Sequence, residues 1–300
     1  MAFTKNSLGR IGLWTHQLDA QPMREAQKYA RQIEELGFRA VWFPEAVGRE
    51  PFASSSLILS ATENLVMCTG IASLHARTAM TMQAGWKTVT EAFPDRFLLG
   101  IGVSHQMSVE GFHRAAYGKP YTNMVNYLDA MDQGLFFAAQ PTTPPVRCLA
   151  ALGPKMLKLA AERTLGAHPY FVPVEHTPIA RAALGPDALL APEQAVVLCT
   201  DPTEARAIAR GHMGMYLTLP NYTNNLRRLG WGDDDINNGG SDRLVDAIVA
   251  WGTLDDVRSR IKAHIDGGAD HVCLQVLAAD QSKVTIDEFR ELSSLIPEFS

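Results

Sequence analysis

The chain has 300 residues, 46% of them hydrophobic, which suits two ordinary domains or one large barrel and allows a sizeable core. Its net charge of -5 comes from 32 acidic and 27 basic residues with no Lys/Arg block, so the electrostatic footprint of a nucleic-acid binder is missing and a small-molecule partner is expected. No apolar run approaches the ~20 residues of a membrane span. Cys68, Cys148, Cys199 and Cys273 are widely spaced in or beside apolar runs, the pattern of reduced core residues. With no secretory signal in the first twenty residues, a cytoplasmic location is expected.

In chain order, an apolar run ending at Trp14 delivers Thr15 and His16 to a strand tip. Pro22 then suits the first turn of a helix whose apolar positions, Met23, Ala26, Tyr29, Ala30, Ile33 and Leu36, keep a 3.6-residue spacing up to a Gly37 cap. Ala40-Val41-Trp42-Phe43 follows as a strand ending at Pro44-Glu45. The unit of helix, glycine and strand returns at Leu165 to Phe171 and at Gly267 to Leu274. Candidate strands are 8–14, 40–43, 65–72, 97–103, 146–151, 167–172, 194–199 and 271–277. Alternation of helix and strand implies parallel pairing, and this number of units closes into a (β/α)8 TIM barrel, here one domain over 1–300. A doubly wound sheet is the competitor, but Gly12-Leu13-Trp14-Thr15 is no dinucleotide fingerprint. Two stretches break the rhythm: a long loop from Ser104 to Pro120, and an Asn- and Asp-rich insertion over about 220–241, before the last βα unit.

In a barrel the carboxyl ends of the strands share one mouth, so His16, Glu45, Ser104 and His105 become neighbours. Gly100 and Gly102 point to one side of their strand; either a ligand lies close to the backbone there or the glycines relieve crowding in a narrow barrel. Leu152-Gly153-Pro154-Lys155-Met156 reads as a helix start with Pro154 at the first position, open to an anion or simply an ordinary strand-to-helix turn. Paired His ligands, HExxH, a second strand-tip carboxylate and a serine elbow are all missing, so no metal site, glycosidase or serine hydrolase is expected.

Ile11-Gly12-Leu13-Trp14, Val41-Trp42-Phe43-Pro44-Glu45, Thr69-Gly70-Ile71-Ala72-Ser73, Arg96 to Gly102 and Ala150-Ala151-Leu152-Gly153-Pro154, in this order, resemble the luciferase-like monooxygenase superfamily. Ala250-Trp251-Gly252-Thr253 and Gly267 to Val272 belong to the same pattern. Within it the chain is similar to the coenzyme F420-dependent oxidoreductases, such as the glucose-6-phosphate dehydrogenase and methylenetetrahydromethanopterin reductase branches. The resemblance implies a bacterial-luciferase-like barrel, a homodimer, and hydride transfer between C5 of F420 and a small organic substrate. It implies a non-prolyl cis peptide at Gly70-Ile71 against the deazaflavin ring, with Glu45 near the cofactor and Val103 and Ser104 touching it. The phosphate would fall to Leu152, Gly153, Pro154, Lys155 and Met156. Ala46 stands where the sugar-phosphate branch carries a histidine after the carboxylate, and His105 stands in place of a fourth-tip carboxylate. His105 is therefore the expected acid/base, with Glu45 and His16 polarising or orienting the substrate. Trp14, Trp42 and the loop bearing Phe112 and His113 are expected to shape the pocket. The alternatives are an FMN-dependent monooxygenase of the same superfamily and a non-catalytic flavin-binding protein.

Overall fold

A computed structural model describes residues 3–299. Its strands are β1 (Ile11–Trp14), β2 (Ala40–Phe43), β3 (Val66–Thr69), β4 (Ala72–Ser73), β5 (Phe97–Gly102), β6 (Val146–Leu149), β7 (Gly166–Ala167), β8 (Leu189–Leu190), β9 (Glu193–Val197), β10 (Val249–Trp251) and β11 (Val272–Val276). Pairing is parallel throughout and follows β10-β9-β11-β1-β2-β3-β5-β6-β7-β8, with β4 on β5. β8 and β9 flank Ala191-Pro192; β8 pairs with β7 while β9 pairs with β11, so the segment 189–197 joins the ends of the curled sheet. The expected TIM-type α/β barrel is what forms.

Period-two alternation sorts the side chains. Val41, Met67 and Leu99 face the surrounding helices, whereas Trp42, Cys68, Leu98, Cys148 and Cys273 fill the barrel interior. Burial pushes the Cys68, Cys148 and Cys273 thiols up, which fits inert packing residues. The interior is tight. A Cβ on Gly12 would lie 2.6 Å from the His271 ring, and one on Gly100 would lie 2.0 Å from the Thr69 carbonyl oxygen. A Cβ on Gly102 would lie 2.6 Å from the Ile71 side chain. Protein atoms, rather than a ligand, occupy the side that Gly100 and Gly102 leave free.

Several boundaries differ from the sequence reading. The first helix is Met23–Glu35 with Pro22 as its N-cap rather than inside its first turn, and it buries Ala26, Ala30 and Ile33. The strand expected over 167–172 is only Gly166–Ala167, because the chain then turns through Phe171 at φ 57°. The loop after β5 contains the helix Gln106–Gly111. The supposed insertion is helical, with Pro220–Arg228 and Asp233–Ile236, and its Tyr222, Leu226, Trp231 and Ile236 join the core. Among the described residues no helix is long and apolar enough to cross a membrane.

Candidate active site

The mouth is built around a break between β3 and β4, where the Gly70-Ile71 peptide is cis, as the resemblance implies. Thr69 Oγ1 accepts from the Gly100 N–H and donates to the Gly100 carbonyl, both at 2.8 Å, and so bridges the interrupted ladder. Trp14 Nε1 donates to the Gly70 carbonyl at 3.1 Å, and the Glu45 N–H donates to that of Ile71 at 3.1 Å. The tips of β1 and β2 therefore hold the two carbonyls of the bulge. Gly70 and Ile71 are half-buried. A Cβ on Gly70 would lie 2.7 Å from Trp14 Nε1 and 3.0 Å from His168 Nε2, so glycine is required there by close approach.

Glu45 is held from two sides. It accepts from the Ser73 N–H at 2.8 Å and from both terminal nitrogens of Arg77, which also reaches Glu50 at 3.3 Å. This arrangement anchors the β2 tip to the residues after the bulge, and leaves the carboxylate neutralised by a fork-shaped donor.

At the β5 tip Ser104 takes φ 56°, a left-handed conformation unusual for a non-glycine residue, and its carbonyl accepts from the Tyr117 hydroxyl at 3.2 Å. His105 is half-buried. Its Nδ1 lies 3.1 Å from Asn221 Oδ1 and its ring 5.4 Å from Tyr222, both on the helix Pro220–Arg228. With the amide oxygen as acceptor, Nδ1 carries the hydrogen and Nε2 presents its lone pair. Burial lowers the His105 pKa, partly offset by the Asn221 bond, so a neutral ring able to accept a proton prevails near neutral pH.

The other end of the same helix reaches the strand-to-helix turn after β6. Gly153 is the N-cap of Pro154–Arg163, Pro154 is at the first position, and no side chain caps the turn. A Cβ on Gly153 would lie 3.4 Å from an Arg228 terminal nitrogen. The Arg228 hydrogen bond is to Asn225 Oδ1, a neutral acceptor, at 2.9 Å. Buried His176 fixes the turn by donating from Nε2 to the Leu152 carbonyl at 2.9 Å. A guanidinium thus stands beside the positive end of a helix whose second residue is the exposed Lys155, where an anion would be stabilised. Leu152 and Met156 pack against the core on either side of the turn, and Val103 does so at the β5 tip.

Between these two ends lies a continuous set of rings. Trp14 packs on His16 at 6.3 Å and on Tyr170 at 5.1 Å; Tyr170 packs on Tyr216 at 5.3 Å, and Tyr216 on His212 at 4.9 Å. The Tyr170 hydroxyl bonds those of Tyr216 at 3.0 Å and Gln275 Oε1 at 2.8 Å. Beneath them Glu193 is buried and accepts from the Phe171 N–H at 3.1 Å; burial pushes its carboxyl up to about 8, so it is protonated at neutral pH. Trp42, expected in the pocket wall, instead lies wholly buried inside the barrel, stacked on His168 at 4.3 Å. Phe112 is 67% exposed on the loop after β5 and lies outside this set of rings.

The luciferase-like monooxygenase family model matches residues 1–271. The chain belongs to that family. Among its relatives, a putative coenzyme F420-dependent oxidoreductase of Mycobacterium tuberculosis is 28% identical over 192 residues, covering 54% of this chain and 55% of that protein. The chain thus spans about half the length of that relative. An F420-dependent secondary alcohol dehydrogenase, solved with an F420-acetone adduct, has TM-score 0.77 at 15% identity, over 97% of this chain and 99% of that one. The oxygenating constituent of 3,6-diketocamphane monooxygenase from Pseudomonas putida, solved with FMN, has TM-score 0.66 at 16% identity, over 97% of each chain. At such identities the structural likeness speaks for the fold alone.

Within this luciferase-like barrel, sequence reasoning did not single out Arg228 and Asn221, nor place His212 among the rings of the mouth. The signal for the first two was present as Pro220 followed by Tyr222 and Leu226 one helical turn apart, with Arg227-Arg228 closing the helix.

Proposed function

We propose that this chain is a coenzyme F420-dependent oxidoreductase acting on a small organic substrate. One observation carries the reading: the helix Pro220–Arg228 ties a proton-accepting imidazole, His105, to an uncapped helix start flanked by Lys155 and Arg228. That combination suits a ligand with a charged phosphate tail and a reactive ring set apart from it. Gly153, Lys155 and Arg228 would hold the phosphate, while the Gly70-Ile71 bulge, Val103 and Ser104 would back the ring. Bound there, the deazaflavin supplies the hydride donor or acceptor at C5. His105 would take or return the accompanying proton at Nε2, with Asn221 fixing its tautomer. Glu45, bound by Arg77 and the Ser73 N–H, would orient the bulge rather than move protons. His16 would face the substrate.

FMN is the second reading, favoured by the likeness of the fold to the FMN complex and by the phosphate that FMN also carries. A titration of the purified protein with each cofactor, read by fluorescence quenching and followed by turnover with the reduced forms, separates the two. Saturable F420 binding with turnover of reduced F420 is expected. Binding and turnover of FMN without F420 would overturn the proposal.

A further inference from the structure

His212 lies on the helix Pro202–Tyr216, which follows β9. Its Nε2 is buried without a hydrogen-bond partner among the described residues. A buried imidazole nitrogen left unpaired among rings is unfavourable unless something meets it. The rings around it are those of the mouth: Tyr216 at 4.9 Å and Phe171 at 6.4 Å, linked through Tyr170 and Trp14 to His16. His16 likewise makes no side-chain hydrogen bond to a described residue. Burial lowers the pKa of both rings, and the His16 charge lowers that of His212 further, to about 4. Both are neutral at pH 7. On the loops after β2 and β4, Arg77 is engaged with Glu45 and Glu50, and Arg49 with the carbonyls of Leu18 and Gln21. Lys155 and Arg228 stand at the helix start instead.

From this arrangement we infer that His212 is a substrate-binding residue which, with His16, receives the oxygen of an uncharged carbonyl or alcohol substrate whose carbon skeleton lies on Trp14 and Tyr216. The inference rests on the proposed oxidoreductase reading and specifies its substrate class. Neutral imidazoles can donate to a carbonyl or accept from a hydroxyl, and the rings bury an apolar skeleton. Neither Arg77 nor Arg49 is left unpaired to meet an anionic substrate.

The test compares cyclohexanone with 4-oxocyclohexanecarboxylate, one skeleton with and without a charge, by calorimetric titration of the protein with and without F420. Cyclohexanone is expected to bind at least about tenfold more tightly than the carboxylate. His212→Phe, which keeps a ring against Tyr216 and Phe171, should weaken cyclohexanone binding about five- to tenfold, the size of one lost hydrogen bond. His212→Gln, which keeps a donor, should restore most of it, and F420 affinity should stay within about twofold in both variants. Equal or better binding of the carboxylate, an unchanged His212→Phe, or binding of neither compound would overturn the inference. Failure of F420 to bind the wild type would instead overturn the cofactor reading, since the ketone titration of the unloaded protein stands apart from it.

Discussion

His271 and His105 are both neutral imidazoles, yet they sit in opposite kinds of surroundings. Inside the barrel, His271 Nδ1 donates to the Gly9 carbonyl at 2.7 Å and Nε2 accepts from Trp42 Nε1 at 3.1 Å. His264, outside the barrel wall, is likewise bonded at both nitrogens, to Thr177 and Gln194. At the rim, His105 is bonded at one nitrogen and His212 Nε2 at none. Fully bonded imidazoles fix one packing, an incompletely bonded one at the rim leaves a nitrogen for a ligand, and buried His168 and His176, each bonded at one nitrogen, lie between these extremes. The two indoles are both bonded, Trp42 to His271 inside the barrel and Trp14 to the Gly70 carbonyl at the bulge.

The sharpest way to break this comparison is to remove an interior histidine. His271→Leu leaves the Trp42 N–H and the Gly9 carbonyl unpaired, and should lower unfolding free energy by about 2–4 kcal/mol in urea while leaving the cofactor affinity of the folded fraction unchanged. A loss of affinity without a loss of stability would erase the distinction between interior and rim. The wild type carries a related signature. Burial lowers the His271 pKa to about 4 from its ordinary 6.5, so the unfolded chain binds the extra proton between these values. Stability should therefore be complete above pH 6.5 and decline as pH falls toward 4.

A smaller effect is expected at the anion end of the rim. Arg228→Ala removes one charge-assisted contact and should weaken F420 binding about ten- to a hundredfold, with a salt dependence shallower than that of the wild type. Thermal unfolding should barely change, because Arg228 is exposed and bonded only to Asn225 among the described residues. Smaller still is the tuning of His105. The Asn221 bond raises its pKa against burial, so Asn221→Ala should move the acid limb of the pH-rate profile to lower pH, by less than about one unit. A shift to higher pH would assign that limb to another group.

Much of the barrel was legible because its strands are short, apolar and punctuated. Ala40–Phe43 matches its expected bounds, and Pro154 opens its helix as its fixed φ suggests. Gly70-Ile71, named from the resemblance, is the cis peptide of the structure, and His105 and Gly153 stand at the strand tip and the glycine-proline turn expected of them. Trp42 was misplaced because an aromatic residue near a strand tip reads the same whether it points to the mouth or into the barrel; alternation with Val41 and Phe43 decides. The stretch from 220 to 241 reads as an insertion on its Asn, Asp and Gly content. Tertiary burial of Tyr222, Leu226 and Trp231 overrides that weak propensity, and with it came Asn221 and Arg228.

A crystal structure of the protein with F420 is the most direct measurement of the central claim. It should place the phosphate against Gly153, Lys155 and Arg228, and the ring between the Gly70-Ile71 bulge and His105. A cofactor bound elsewhere, or one whose phosphate lies away from Arg228, would contradict it.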